Sequence, residues 1–183
     1  MRQIKSGFII VALLALLAAC SNDEEKRRYL PMLASNIENE VLVEVINGTR
    51  ALSPATLLRD SVFSVFGIES EKSLPVKVSV LEGKEVLSFR ADLPDRTLMD
   101  LWDTDEGRRG EGFADSEITV QGAHIHLRFY YAFSALPRAE LMRGGSTIAL
   151  QTLEYQGKTI NPYKRYGCFK IVLRRTPQGF TVE

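Results

Sequence analysis

Two cysteines stand in 183 residues, Cys20 and Cys168. Only Cys168 belongs to the body of the chain. One thiol cannot close an internal disulfide, so the fold must stand on its apolar core. Cys168 opens the apolar run CFKIVL and reads as a buried, inert thiol, because free cysteine packs as a small hydrophobe. Net charge is also missing. The 23 basic side chains balance 23 acidic ones, which removes the general electrostatic case for nucleic acid as a partner. Histidine is scarce: His124 and His126 are the only two, so a zinc site would have to find its third ligand among other residue types. No Gly-Xaa-Ser-Xaa-Gly elbow, P-loop or dinucleotide fingerprint occurs. The sequence therefore disfavours an enzyme and implies no cofactor.

What is present is concentrated at the start. Met1–Lys5 carries Arg2 and Lys5, the apolar run Phe8–Leu17 follows, and Leu17–Ala18–Ala19–Cys20 closes it. A basic start, a short apolar stretch and small residues before a cut site make a secretory signal peptide. The run is shorter than the ~20 residues a spanning helix needs. Leu17–Ala18–Ala19–Cys20 resembles the lipobox of bacterial lipoproteins. The resemblance implies cleavage before Cys20, a diacylglyceryl thioether on its sulfur and acylation of its new amino group. Several acyl chains make a durable anchor, at ~0.8 kcal/mol per buried methylene. Ser21 stands where an aspartate would imply retention in the inner membrane. The resemblance thus implies the outer membrane, with the body facing the periplasm. The expected organisation is a signal peptide over 1–19, the lipidated cysteine with a polar tether over 20–28, and one β-rich domain over 29–183. Loss of Arg2 and Lys5 leaves 21 basic against 23 acidic side chains. The tether lets the body stand ~25 Å from the membrane at the extended limit of ~3.3–3.6 Å per residue.

The body reads mainly as strands. Val41–Asn47 is β-branched and closes on Asn47–Gly48, a strong turn pair. Pro75–Leu81 alternates and turns at Gly83–Lys84 into Glu85–Ala91. Three hairpins follow: Glu117–Val120 with Ala123–Phe133, Thr147–Tyr155 with Lys158–Ile160, and Cys168–Arg175 with Phe180–Val182. Helix is the minority. Ser53 and Pro54 suit a helix start and Gly67 a stop, which predicts a helix over 54–66 with Leu58, Val62, Val65 and Phe66 at helical spacing. A second short helix is expected over Pro94–Trp102. Many short strands joined by tight turns predict a mostly β protein, an antiparallel β-sandwich with one or two short helices.

Three segments carry candidate chemistry. In Ala123–Phe133, residues two apart share a face. Ile125, Leu127, Phe129, Tyr131 and Phe133 form the core side, and His124, His126, Arg128 and Tyr130 the other. Two histidines at i, i+2 are ~7 Å apart, which suits two metal ligands. Arg128 beside them repels a cation, so a solvated or partner-facing surface is favoured. Asp103–Gly107 has the opening of a calcium loop, but Arg108 and Ala114 fill the positions that need glycine and glutamate; an exposed, mobile charged loop is expected instead. Charge is also segregated. Asp92–Glu117 holds nine acidic residues against three arginines, while Tyr155–Val182 holds six cations and no acid. Either the two segments face each other and cancel, or their field orients a partner. The basic stretch contains Tyr163, Lys164, Arg165 and Tyr166, a loop whose residue types are enriched at protein interfaces.

Pro75–Val80 (PVKVSV) followed by Phe89–Leu93 (FRADL) resembles the outer-membrane lipoprotein family of type VI secretion systems. Leu81 and Leu93 stand where that family has aromatics. The resemblance implies a transthyretin-like sandwich that holds a larger inner-membrane partner, and no functional residue is carried over from it. The expected function is a membrane-anchored lipoprotein whose sandwich binds a protein partner in the envelope, as a component of a secretion apparatus. The alternatives are a periplasmic immunity or inhibitor protein and a metal-dependent hydrolase.

Overall fold

The computed structural model describes residues 28–137, 145–160, 163–165 and 168–183, the backbone alone for 163–165. Strands hold 66% of these residues and helix 6%, so packing here means sheet on sheet. The strands are β1 (Asn36–Glu38), β2 (Glu40–Asn47), β3 (Arg50–Ala51), β4 (Phe63–Gly67), β5 (Lys72–Leu74), β6 (Val76–Leu81), β7 (Lys84–Arg90), β8 (Asp100–Thr104), β9 (Gly107–Val120), β10 (Ala123–Ala135), β11 (Ser146–Tyr155), β12 (Lys158–Ile160), β13 (Tyr163–Arg165), β14 (Cys168–Thr176) and β15 (Gly179–Val182). One sheet of eight runs β1-β11-β10-β9-β4-β5, with β12 on β11 and β8 on β9. The other, of seven, runs β13-β14-β2-β7-β6, with β15 on β14 and β3 on β2. The fold is the expected β-sandwich. Two pairings are parallel, β1 with β11 and β2 with β14.

Alternation builds the core. Val41, Val43 and Val45 of β2, Leu87 and Phe89 of β7, and Ile171 and Leu173 of β14 face Ile118 of β9, Leu127 and Phe129 of β10, and Leu150 and Leu153 of β11. Phe89 meets Phe129 edge to face at 6.4 Å. Each such side chain stabilises the fold by ~1.5–3 kcal/mol through burial. The expected hairpins at Asn47–Gly48, Gln121–Gly122, Gln156–Gly157 and Pro177–Gln178 all form.

The chain changes sheets at Asn39, between β1 and β2. There the buried amide of Asn39 donates to the Ala91 carbonyl at 2.6 Å, and Ala91 N–H returns a bond to the Asn39 carbonyl. A second crossing, 91–95, holds the start of the body. Tyr29 hydroxyl donates to the Leu93 carbonyl, Leu30 N–H to the Asp95 carboxylate, and Met32 N–H to the Pro94 carbonyl. Tyr131 hydroxyl donates to the Asp92 carbonyl at 2.6 Å. Burial, with the Asp92 charge, pushes the phenols of Tyr29 and Tyr131 well above their ordinary range.

Two expected helices shrink. The first, α1, is Pro54–Arg59 only. Ser53 caps it as expected, but Ser61 takes a left-handed φ of 53°, and the chain leaves the helix as β4. Phe63, Val65 and Gly67 are buried while Ser64 and Phe66 are exposed. A period of two therefore beats the helical spacing. Gly67 is a strand residue, not a helix stop, and any side chain there would collide with Asp92 and Ser70. The second helix is one 3-10 turn, Arg96–Leu98, capped by Asp95. Asp100–Trp102 of that segment belong to β8. The expected mobile loop at 103–112 is likewise a correction: β8 turns at Asp105–Glu106 into the 14-residue β9. Leu101 and Met99 lie where side chains at Gly110 and Gly112 would be. The glycines that suggested a loop are what lets β8 and Met99 pack close. Among the described residues no helix is long and apolar enough to cross a membrane.

Candidate functional site

The register of the eight-stranded sheet sets its outer face in rows. Phe66 lies opposite Glu117, and Glu117 opposite His126. The next row is Asp115–Arg128–Glu154, then Phe113–Tyr130–Thr152. A fourth row runs Asp100–Glu111–Ala132–Ala149, and a fifth Trp102–Arg109–Ser134–Thr147. Such cross-strand neighbours interact directly.

Arg128 fixes the centre of this face. Its guanidinium donates two bonds to Asp115, at 2.9 and 3.0 Å, and lies 4.2 Å from the centre of the Phe113 ring. Bidentate pairing and stacking are what a guanidinium does better than an ammonium. The Asp115 bond raises the Arg128 pKa further above its ordinary value. Phe113 tilts against Tyr130 at 6.2 Å. Tyr130 hydroxyl donates to Glu154 at 2.8 Å, and that bond raises its pKa. Phe66, 40% exposed, stands two rows away. The result is a half-exposed aromatic surface braced by hydrogen bonds.

Among the described residues the histidine pair gathers no third metal ligand. His124 Nδ1 bonds Glu117 at 2.9 Å, and both histidines are exposed. Among the described residues no three His, Cys, Asp or Glu side chains converge to hold a metal ion. Two of the three acids of the expected calcium loop are engaged by arginine: Asp103 by Arg108 at 2.8 Å and Glu106 by Arg109 at 3.0 Å. The Arg108 bond holds the Asp103 carboxyl below its usual range.

Among the described residues no ion pair joins the acidic segment to the basic one. Acids near 100–117 meet Arg108, Arg109 and Arg128, while Lys170 meets Glu44 and Arg174 meets Glu183. Tyr163–Arg165 is not a loop. Its backbone forms the edge strand β13, paired with Cys168–Lys170. The side chains of Tyr163, Lys164 and Arg165, and all of Tyr166, lie outside the described residues, as do 1–19, Cys20 and tether residues 21–27. Cys168 is half-buried and not buried as expected, and partial burial raises its thiol pKa.

Two other cavities frame this face. One of about 930 Å³ lies where Met32, Leu101, Phe133 and Leu136 meet, with the bound pair Arg108 and Asp103 at its rim. Another of about 380 Å³ lies at the far end, between His124 and Phe180. In the second, the Tyr155, Thr176 and Thr181 hydroxyls donate to backbone carbonyls and not to His124. Sequence reasoning did not bring Asp100, Glu111, Phe113 and Glu154 onto this candidate face, although it counted Asp100 and Glu111 in the acidic segment. A signal existed for β9: from Glu111 to Thr119, Glu, Phe, Asp, Glu and Thr alternate with Gly, Ala, Ser and Ile.

No protein-family model matches the chain, and no curated protein or solved structure matches it either.

Proposed function

We propose that the protein is a lipid-anchored lipoprotein of the cell envelope that works by binding a protein partner and not by turnover. Cys20 carries the acyl chains in the outer membrane, and the sandwich faces the periplasm as an assembly module of a secretion apparatus. The observation that carries this reading is the outer face of β9, β10 and β11. Phe113 and Tyr130 are half-buried, locked in place by Arg128, Asp115 and Glu154. Aromatic and arginine side chains held rigidly at a surface are the usual anchors of protein interfaces. The basic segment Tyr163, Lys164, Arg165 and Tyr166 is assigned to the same task by its residue types. The clamp of Tyr29–Met32 on 93–95 supports the anchor half of the proposal, because it fixes the sandwich directly where the tether ends.

The test is crosslinked capture from native envelopes. Wild type should retain one envelope protein that Phe113→Ala with Tyr130→Ala loses by at least tenfold, with lipidation at Cys20 unchanged. Equal capture by the folded double variant overturns the assignment of this face. A secretion-apparatus component in the captured band supports the assembly role, and a toxin supports the immunity alternative. Mass spectrometry that finds an unmodified Cys20 inside an intact chain removes the anchor.

A further inference from the structure

An open depression of about 490 Å³ lies on the same outer face, bounded by Leu98, Asp100, Glu111, Phe113, Tyr130 and Ala132. We propose that it seats one lysine or arginine side chain of a protein partner. The proposal rests on the partner-binding reading above and supplies its chemistry.

Charge gives the sign of the occupant. Asp100 and Glu111 lie directly opposite each other on β8 and β9. Like charges so placed repel. Both are exposed, and neither makes an ion pair or a side-chain hydrogen bond among the described residues. The neighbouring acids are answered: Asp115 by Arg128, Glu117 by His124, Glu154 by Tyr130, and Glu106 by Arg109. Arg109, the nearest cation in the adjoining row, is therefore already engaged. The uncompensated pair and the depression coincide.

Shape and polarity narrow the occupant further. Ala132 stands between Glu111 and Ala149 in its row, and its small side chain leaves the floor low. Leu98 is 37% exposed beside it, and Phe113 and Tyr130 form an aromatic wall. Phe113 already holds one guanidinium, that of Arg128. Two carboxylates with an apolar and aromatic wall fit a cation that carries an alkyl stem. The stem lies on Leu98 and the rings while the head reaches the acids. A bare metal ion would leave that wall unused.

The experiment has two parts, both on the mature lipidated chain that begins at Cys20. First, nuclear magnetic resonance follows Tyr130 and Ala132 during addition of acetyl-arginine amide, acetyl-lysine amide, the neutral acetyl-citrulline amide and spermidine. The expected result is saturable shifts with the first two and none with citrulline, weakened at least tenfold by Asp100→Asn with Glu111→Gln. Shifts equal for citrulline and arginine, or unaffected by the double variant, overturn the proposal. Spermidine binding more tightly than either amide assigns the site to a free polyamine and overturns the partner source. Second, envelope capture is repeated with Asp100→Asn/Glu111→Gln and with Ala132→Leu, which fills the floor. Loss of capture by both is expected. Unchanged capture by both, where Phe113→Ala/Tyr130→Ala abolishes it, overturns the cationic anchor and leaves partner binding standing. Unchanged capture by all three variants overturns the cationic anchor and the assignment of this face together.

Discussion

On the outer face of the seven-stranded sheet, Glu44 pairs with Lys170, and Glu40 takes the Ser88 hydroxyl at 2.6 Å with Lys77 at 3.7 Å. On the outer face of the eight-stranded sheet, Arg128 and Asp115 are equally well matched, yet Asp100 faces Glu111 with no cation between them among the described residues. Both faces come from the same alternation and the same sandwich. One is arranged so that each acid has a donor. The other retains a repulsive pair next to exposed aromatic rings. Repulsion that folding does not need is an indication of something outside the fold, because a partner's charge can relieve it.

The comparison can be broken by substitution. The largest effect is expected from Arg128→Ala. It strands Asp115, which is 8% exposed, as a charge without its partner. Breaking a buried pair costs ~3–5 kcal/mol, and the partial exposure of Arg128 lowers this to about 2 kcal/mol. A fall in the urea midpoint at constant slope measures it; a midpoint unchanged from wild type would show that the pair does not hold the face together. Glu44→Gln comes next. It removes one half of a half-buried pair with Lys170 and should destabilise by about 1 kcal/mol, read in the same titration.

Asp100→Asn is the decisive contrast, because its sign should be opposite. Relief of a directly opposed like charge should stabilise by about 0.5 kcal/mol, and added salt should shrink that gain. If Asp100→Asn destabilises as Glu44→Gln does, the two faces do not differ in the way described.

The subtlest effect is a slope with pH. Burial raises the Glu69 carboxyl above its ordinary 4.5, with the Asp115 charge adding to the shift. A carboxyl whose folded-state pKa is raised binds its proton more tightly when folded. Its contribution to stability is complete below 4.5 and is lost as pH rises through the folded-state value. Glu69→Gln should therefore gain on wild type as pH rises from 4.5. A difference between the two that stays flat with pH removes Glu69 from the account.

Much of the fold was legible because strands write themselves in periods of two. Ala123–Phe133 alternates cleanly, and its hairpin with β9 forms about Gln121–Gly122 as expected. The failures have a common cause. In 54–66, Leu58, Val62 and Val65 sit at a helical spacing that also contains the strand pattern Phe63, Val65, Gly67. Local pattern alone could not choose, and pairing of β4 with β9 and β5 chose the strand. In 99–112, glycine and charge resembled a loop. Their use is steric: a strand without side chains at 110 and 112 admits Leu101 and Met99. The candidate face was half legible. His124, His126, Arg128 and Tyr130 share one side of β10 in the sequence, but Phe113, Glu111 and Asp100 join them only across strands.

The sequence by itself determined the alternation that sorts each strand into a core side and an outer side, the hairpin turns and the dominance of β structure. These are local properties, set by side-chain direction and turn geometry within a few residues. Only the tertiary structure decided which outer residues become neighbours. The crossing at Asn39 sends consecutive strands to different sheets, and long-range pairing sets Asp100 against Glu111 and Arg128 against Asp115. Register between strands is a property of the whole sheet, fixed by the fit of its buried face. The chemistry of the exposed face follows from that fit.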